Sequence, residues 1–549
     1  MRRYWLLLAL LPLLARAGEA PLQLAVGSGA QAELMQLSRS QKLSQGPLPA
    51  TLQAPLGSLW KLFVYAYLVD NQRTEEPYLC TGQDRDEVYC CNPGERIDRE
   101  QALVKSCGLY FAPARLDLSA DSWTDYWRQR QAPDWLKDLN RLQPQQRVPV
   151  SELLAALAHL PAQEQARKVL LDVVLHAADG KAVAALGGRL RAKTWSWLAD
   201  HGEQARQGGF AGWLVDGTPV WAGGPGTSMA LFGSHAEVLG SVLPTPWPKD
   251  PGACVEVNLF SRYPVREVRT PNAQPAAPGV LQGHYNVEFS NGNRLGIEST
   301  GELFLERSAS ALQLTARLSR EEYVARVLDR EAMAQPVEAA RALAVTIRTY
   351  LLQSAERRGD CLAITDSSAS QRVAPRPATA DAREVAAWTE DLVLAGSAVN
   401  YHTSMPGPDR LAWTQAVEQA RSGLRYDSIL LRAFPRASLS RWDKPVAACQ
   451  PLPAAQTWLQ AQQRRWRPTL DAEPGYSEAR DFSVCQLASG KPYVDRERRR
   501  IFVRGLFSLQ DRLDLTHEYL HLAFEAHPNG QDEVFVESLA RHLLLELTP

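Results

Sequence analysis

Two arginines followed by an apolar run over residues 4–14 address this chain out of the cytoplasm, and that address limits the chemistry open to everything downstream. The run has the length of a signal-peptide core and is too short to span a bilayer, which takes roughly 20 apolar residues. Small-residue cleavage sites follow at Ala15-Arg16-Ala17 and Gly18-Glu19-Ala20. Residues 1–20 therefore read as a signal peptide, with an uncleaved anchor as the alternative. No later stretch is long and apolar enough to span, so the expectation is a periplasmic or secreted protein without an integral membrane segment after cleavage. In an oxidising compartment eight cysteines, an even number, are expected to form crosslinks. Cys80, Cys90, Cys91 and Cys107 cluster early, Cys449 and Cys485 lie close together late, and Cys254 and Cys361 are left to pair across the middle.

A length of 549 residues exceeds one core, and about 150 residues per domain suggests three or four units. Proline-rich breaks at Leu243-Pro244-Thr245-Pro246-Trp247-Pro248 and around Cys449-Gln450-Pro451 divide the chain into 21–245, 246–448 and 449–549. A formal net charge of -1 argues against nucleic acid or an anionic membrane surface as partner.

Residues 55–68 read as a mostly apolar helix on which Ser58 and Lys61, three apart, share a face. A serine hydroxyl is a poor nucleophile until a base takes its proton. A lysine whose pKa is lowered by burial and a second cation can be that base. Two further segments follow in order. Lys105-Ser106-Cys107-Gly108, within 99–111, resembles the second active-site segment of penicillin-binding proteins and class D β-lactamases. Leu190-Arg191-Ala192-Lys193-Thr194-Trp195-Ser196 is similar to their third motif, a strand carrying K-T-G, and 208–217 to the next strand. The resemblance covers most of 40–225 and implies a serine β-lactamase/transpeptidase-like fold. It also implies Ser58 as nucleophile, Lys61 as its base and Ser106 as proton relay, with Lys193 and Thr194 holding a substrate carboxylate. Gly108 stands where penicillin-binding proteins place an asparagine, and Trp195 replaces the glycine of K-T-G. That glycine lets substrate lie against the strand, so the indole is expected to narrow or block the groove.

In the middle region, 318–331 ends one helical pattern and Pro336 opens a second, alanine-rich one. This pair, with the glutamine-bearing segment 364–373 and the stretches around Thr389 and Tyr426, resembles the SpoIID family over about 285–440. The resemblance implies a lytic transglycosylase with Glu331 as catalytic acid. A partly buried glutamic acid can protonate a glycosidic oxygen and then accept a proton from the sugar's own hydroxyl. The alternative for Glu331 is an ion pair with Arg330 or Arg326.

The last region carries His517-Glu518-Tyr519-Leu520-His521 within a helical pattern. Histidines four apart stack on one face and can hold one zinc ion, with Glu518 beside the open position as general base. A third ligand is needed. Glu537 matches the second-helix ligand of gluzincins, which this stretch resembles. His527 has metzincin spacing, although Phe524 stands where metzincins turn on glycine; Glu537 is favoured, and Glu533 is a weaker choice. The basic run Arg496-Glu497-Arg498-Arg499-Arg500 reads as a solvated strand edge.

The expected fold class is multidomain α+β: a β-lactamase-like domain, a SpoIID-like domain and a small, mainly helical zincin-like domain. The whole chain resembles an uncharacterised family of secreted bacterial proteins, some encoded beside bacterial α2-macroglobulins, which implies such a protein as a periplasmic partner. Peptidoglycan is the substrate that all three regions share. The expected function is a periplasmic peptidoglycan-remodelling hydrolase with a zinc peptidase site and a lytic transglycosylase site. The alternatives are a cell-wall-binding scaffold with degenerate sites, favoured by Trp195 and Gly108, and a zinc protease acting on protein clients.

Overall fold

The computed structural model describes residues 20–198, 206–249, 254–307, 311–368, 370–407, 409–445, 449, 451–480, 482–487, 492–496 and 499–546. The expected signal peptide lies outside them, except for its last residue. The fold is a multidomain α+β arrangement.

In the first unit, six antiparallel strands form one sheet: β1 (Leu22–Val26), β2 (Glu33–Leu37), β3 (Lys42–Pro47), β4 (Leu190–Leu198), β5 (Arg206–Leu214) and β6 (Pro219–Pro225). Their order is β3-β2-β1-β6-β5-β4, which leaves β4 at an edge. Helix α1 (Trp60–Asp70) is apolar on every side, as a helix enclosed by other elements must be. Helix α2 (Arg99–Lys105) starts on a reciprocal capping box of Asp98 and Gln101 and ends at Ser106, which is left-handed at φ 62°. Disulfides Cys80–Cys91 and Cys90–Cys107 knit the chain beside that turn. Helices α3 (Gln163–His176) and α4 (Ser228–Val242) belong to the same unit.

The second unit is a seven-stranded sheet: β7 (Cys254–Leu259), β8 (Val265–Arg269), β9 (Gly279–Phe289), β10 (Arg294–Arg307), β11 (Leu312–Ser319), β12 (Glu356–Arg358) and β13 (Cys361–Thr365), in the order β8-β9-β10-β11-β7-β13-β12. Only β7 and β13 run parallel within it, joined by Cys254–Cys361. Helices α5 (Arg320–Glu331), α6 (Val337–Ser354) and α7 (Ala380–Trp388) pack together, with Ala339, Ala340, Ala342 and Ala344 sealed inside. Small side chains let these helices approach closely.

The first two units share one core. A contiguous apolar cluster runs from Leu24, Phe210 and Leu239 into Leu303, Leu343 and Trp388. Gly188 N–H donates to Trp388 O at 2.9 Å, and a Cβ at Gly188 would collide with the Glu390 carbonyl. The proline-rich stretch near 245 therefore joins two halves of one hydrophobic body. The third unit has its own core: helices α8 (Pro453–Leu470), α9 (Leu509–Ala523) and α10 (Glu533–Arg541) around strands β14 (Ser483–Gln486), β15 (Tyr493–Asp495) and β16 (Arg500–Val503). Cys449–Cys485 holds its start, and Arg500 reaches back to donate to the carbonyls of Pro435 and Ala437, both at 3.1 Å. Arg500 is buried, which corrects the reading of this run as a solvated edge at that residue.

Candidate functional site

A cleft of about 1140 Å³ opens where the N-terminus of α1 meets the edge strand β4. Ser58 lies in the 3-10 turn that leads into α1, and Lys61 follows one turn later. Gly57 at φ 49° lets this turn sit against the backbone of Trp195 and Ser196; a Cβ there would stand 2.9 Å from Ser196 O. Lys61 Nζ donates to Ser58 Oγ at 3.4 Å, Ser106 Oγ at 3.2 Å and Ser106 O at 2.5 Å. Ser106 reaches this position because the left-handed turn after α2 folds it back over the lysine. Burial pulls the Lys61 ammonium down to about 8, against the opposing charge of Asp86. The cleft thus assembles a serine, a weakly held amine proton and a second hydroxyl within hydrogen-bonding reach.

Two expectations for this cleft change. Lys193 does not line it: the side chain is fully enclosed and donates to Thr194 O at 3.1 Å. Burial, then the neighbouring Lys61 charge, pulls its amine well below the usual range. Thr194 lines the cleft without it. The Trp195 indole does not block the groove either. It points inward, stacks on Trp221 at 6.2 Å and donates to Ala222 O at 3.2 Å. Gly108 lies beside the lysine: a Cβ there would stand 3.6 Å from Lys61 Cε and 3.9 Å from its Nζ. Two further residues line the cleft, Ser196 and Ser228, with Oγ atoms 3.4 Å apart. Ser196 shares a strand face with Thr194 on β4 and was legible in principle; Ser228, on α4, was not.

Glu331 closes α5 with both oxygens engaged by one residue. Arg372 N–H donates to Oε1 at 2.8 Å, and its guanidinium gives 3.2 Å to Oε1 and 2.9 Å to Oε2. The partner is Arg372, not Arg330 or Arg326. Gln371 beside it is fully buried and accepts from the Tyr323 hydroxyl.

On α9, His517 and His521 turn their Nε2 atoms to within 3.2 Å of each other. Gly530 O, which can only accept, takes the Nδ1 proton of His521 at 2.9 Å. The Glu537 carboxylate takes that of His517 at 3.1 Å. Both Nε2 lone pairs are therefore free and converge on Glu533, whose oxygens lie 3.2 Å from His517 Nε2 and 3.6 Å from His521 Nε2. The acid that completes this cluster is Glu533, the weakest of the three choices made from sequence. Glu537 stands behind His517, tied to Arg541 at 2.7 Å, and His527 caps the 3-10 turn after α9 by accepting from Asn529 N–H at 3.2 Å. Arg496, from the basic run, donates to Gly530 O at 2.8 Å. Burial pushes the Glu518 carboxyl up to about 7, with His517 opposing and the charges of Glu533 and Asp514 adding.

Residues 82–204 and 409–529 match the family described as predicted secreted protein (DUF2300), and residues 308–395 match stage II sporulation protein (SpoIID). The uncharacterized protein YfaQ of Escherichia coli strain K12 is 53% identical over 546 residues, covering 99% of this chain and 100% of that one. Among solved structures, a reconstructed ancestral class A β-lactamase of Gram-negative bacteria overlays 41% of this chain and 92% of its own, at 15% identity and a TM-score of 0.28. The C-terminal domain of the Bacillus licheniformis BlaR penicillin receptor overlays 35% of this chain and 80% of its own, at 17% identity and a TM-score of 0.26. Among the described residues no helix is long and apolar enough to cross a membrane.

Proposed function

The chain belongs to the DUF2300 family of predicted secreted proteins, and from that premise we propose that it is a periplasmic peptidoglycan-remodelling hydrolase whose principal site is the Ser58 cleft. The observation that carries this reading is the placement of Lys61 between the hydroxyls of Ser58 and Ser106. The SpoIID match over 308–395 points the same chain at the cell wall.

In the proposed reaction an amide carbonyl of a stem peptide enters the cleft beside Ser58. Neutral Lys61 takes the hydroxyl proton as Ser58 Oγ bonds to the carbonyl carbon. Ser106 passes a proton from Lys61 to the departing nitrogen as the C–N bond breaks. Water then cleaves the Ser58 ester, and Lys61 again handles the proton.

The His517, His521 and Glu533 cluster fits a zinc ion, because two imidazole lone pairs and a carboxylate face one point and a carboxylate and a carbonyl fix both rings from behind. Zinc held there would supply Lewis acidity and acidify water for peptide hydrolysis. Glu518, half-buried beside it, would hold and deliver the proton. For the middle unit a second reading has support: with both oxygens of Glu331 tied to Arg372, this unit holds glycan without cutting it.

Digestion of purified peptidoglycan sacculi by the mature chain, read by mass spectrometry, tests the proposal. New peptide termini that disappear in Ser58→Ala would support it. Identical product profiles for the two proteins would remove Ser58 from the mechanism.

A further inference from the structure

The strand Ser438–Arg441 belongs to the middle unit, where it pairs with Leu392–Ala395, and it packs against α3 of the first unit. Its last residue, Arg441, is 2% exposed and gathers groups from both units. Nη1 donates to Lys168 O at 3.1 Å and lies 3.5 Å from the Asp172 carboxylate, one turn further along α3. Nη2 lies 3.5 Å from Glu100 in the first turn of α2, and Asp443 stands 3.1 Å from Nε. Lys444 adds a second cation at the same helix end, 3.6 Å from Glu100 and 4.0 Å from Asp98, the cap of α2.

Helix α2 is only seven residues long. Isolated helices shorter than about 12–15 residues are marginal in water, so what docks its two ends decides where it lies. Cys90–Cys107 holds the C-terminal end, one residue past Ser106. Arg441 and Lys444 hold the N-terminal end. The same cluster reaches α1, against which α2 packs. Tyr65, buried one turn beyond Lys61, has its hydroxyl pushed up by burial and the Glu100 charge, with Arg99 and Arg441 opposing. We propose that Arg441 is a positioning residue of the serine cleft: from the middle unit it clamps α2 so that Ser106 stays over Lys61. Without the guanidinium, Glu100 and Asp172 lose the cation between them, their charges repel, and the start of α2 draws away from α3. This role rests on the Ser58 reading, and it makes the middle unit part of a site that the first unit does not complete alone.

The test is a double-mutant cycle in the full mature chain, read as the rate of Ser58 acylation by a chromogenic penicillin. Ser106→Ala is measured in wild type and in Arg441→Gln. Acylation slowed about tenfold in Arg441→Gln, and by no more than about twofold further when Ser106→Ala is added, supports the role. A wild-type rate in Arg441→Gln, no loss from Ser106→Ala in wild type, or the full Ser106→Ala loss recurring in Arg441→Gln overturns it. A merely structural change would leave the two losses to multiply. Arg441 is buried, so if Arg441→Gln does not fold, the same cycle is read on Glu100→Gln, whose side chain is 43% exposed. Wild-type protein that the penicillin does not acylate loses the serine reading and this role with it. Acylated wild type with independent losses gives up Arg441 alone.

Discussion

Arg191, two residues before Lys193 on β4, forms a buried ion pair with Glu390, which follows α7 in the next unit. The pair continues into a charge network: Arg191 reaches Asp391 at 3.3 Å, Arg320 reaches Asp391 at 2.5 Å and Glu321 at 2.7 Å, and Arg348 reaches Glu321 at 2.5 Å. Burial and the Asp391 charge push Glu390 up, while Arg320 and Arg191 hold Asp391 down against its own burial. The strand that edges the serine cleft is thereby fastened to α5 and α6.

Removing one member of this network strands the others. Arg191→Met is expected to destabilise the protein by about 3–5 kcal/mol, the range for an orphaned buried charge. Glu390→Gln should cost clearly less, because burial already disfavours the Glu390 charge and Asp391 still faces Arg191 and Arg320. Urea unfolding of both variants checks this; equal losses would contradict the assigned charge states.

Lys61 sets the pH profile of the cleft. With its pKa pulled down to about 8, acylation of Ser58 should rise with pH, reach half-maximum near 8 and level off above. Folding lowers this pKa from 10.5, so the native state releases its proton first. Stability therefore rises with pH between about 8 and 10.5 from this group. Stopped-flow acylation by a chromogenic penicillin across pH 6–10 measures the first effect, and a flat profile would rule Lys61 out as the base.

Trp195 serves packing. Trp195→Ala should cost about 3–5 kcal/mol, as expected for emptying a buried indole site, and leave access to Ser58 unimproved. A stable variant with faster acylation would show that the ring obstructs the groove after all.

The metal cluster separates donors from supports. His517→Ala, His521→Ala and Glu533→Ala should each abolish stoichiometric zinc uptake. Glu537→Ala should retain the site with affinity reduced about 10–100-fold, as for a residue that orients a ligand from behind. Zinc titration followed by competition with a chelator gives the order; loss in Glu537→Ala with retention in Glu533→Ala would reverse the two roles.

What could be read in the sequence follows helix geometry. Ser58 with Lys61 and His517 with His521 lie three and four residues apart, so one helical turn places each pair on a face regardless of the rest of the fold. Glu533 and Glu537 are also one turn apart, and only the docking of α10 on α9 decides which faces the Nε2 atoms. Strand alternation gives Trp195 a face, but that this face is the core is set by Trp221 on β6. Arg372 reaches Glu331 from a distant segment that no local pattern links to it. The proline-rich break near 245 reads as a boundary because composition records the linker, whereas the apolar faces it connects meet in one core.

The most direct measurement is the intact mass of the mature chain after incubation with a fluorescent penicillin, wild type beside Ser58→Ala and Lys61→Ala. The account predicts one covalent adduct on wild type, mapped to the peptide containing Ser58 and absent from both variants. Unmodified wild-type protein, or an adduct that persists in Ser58→Ala, would contradict it.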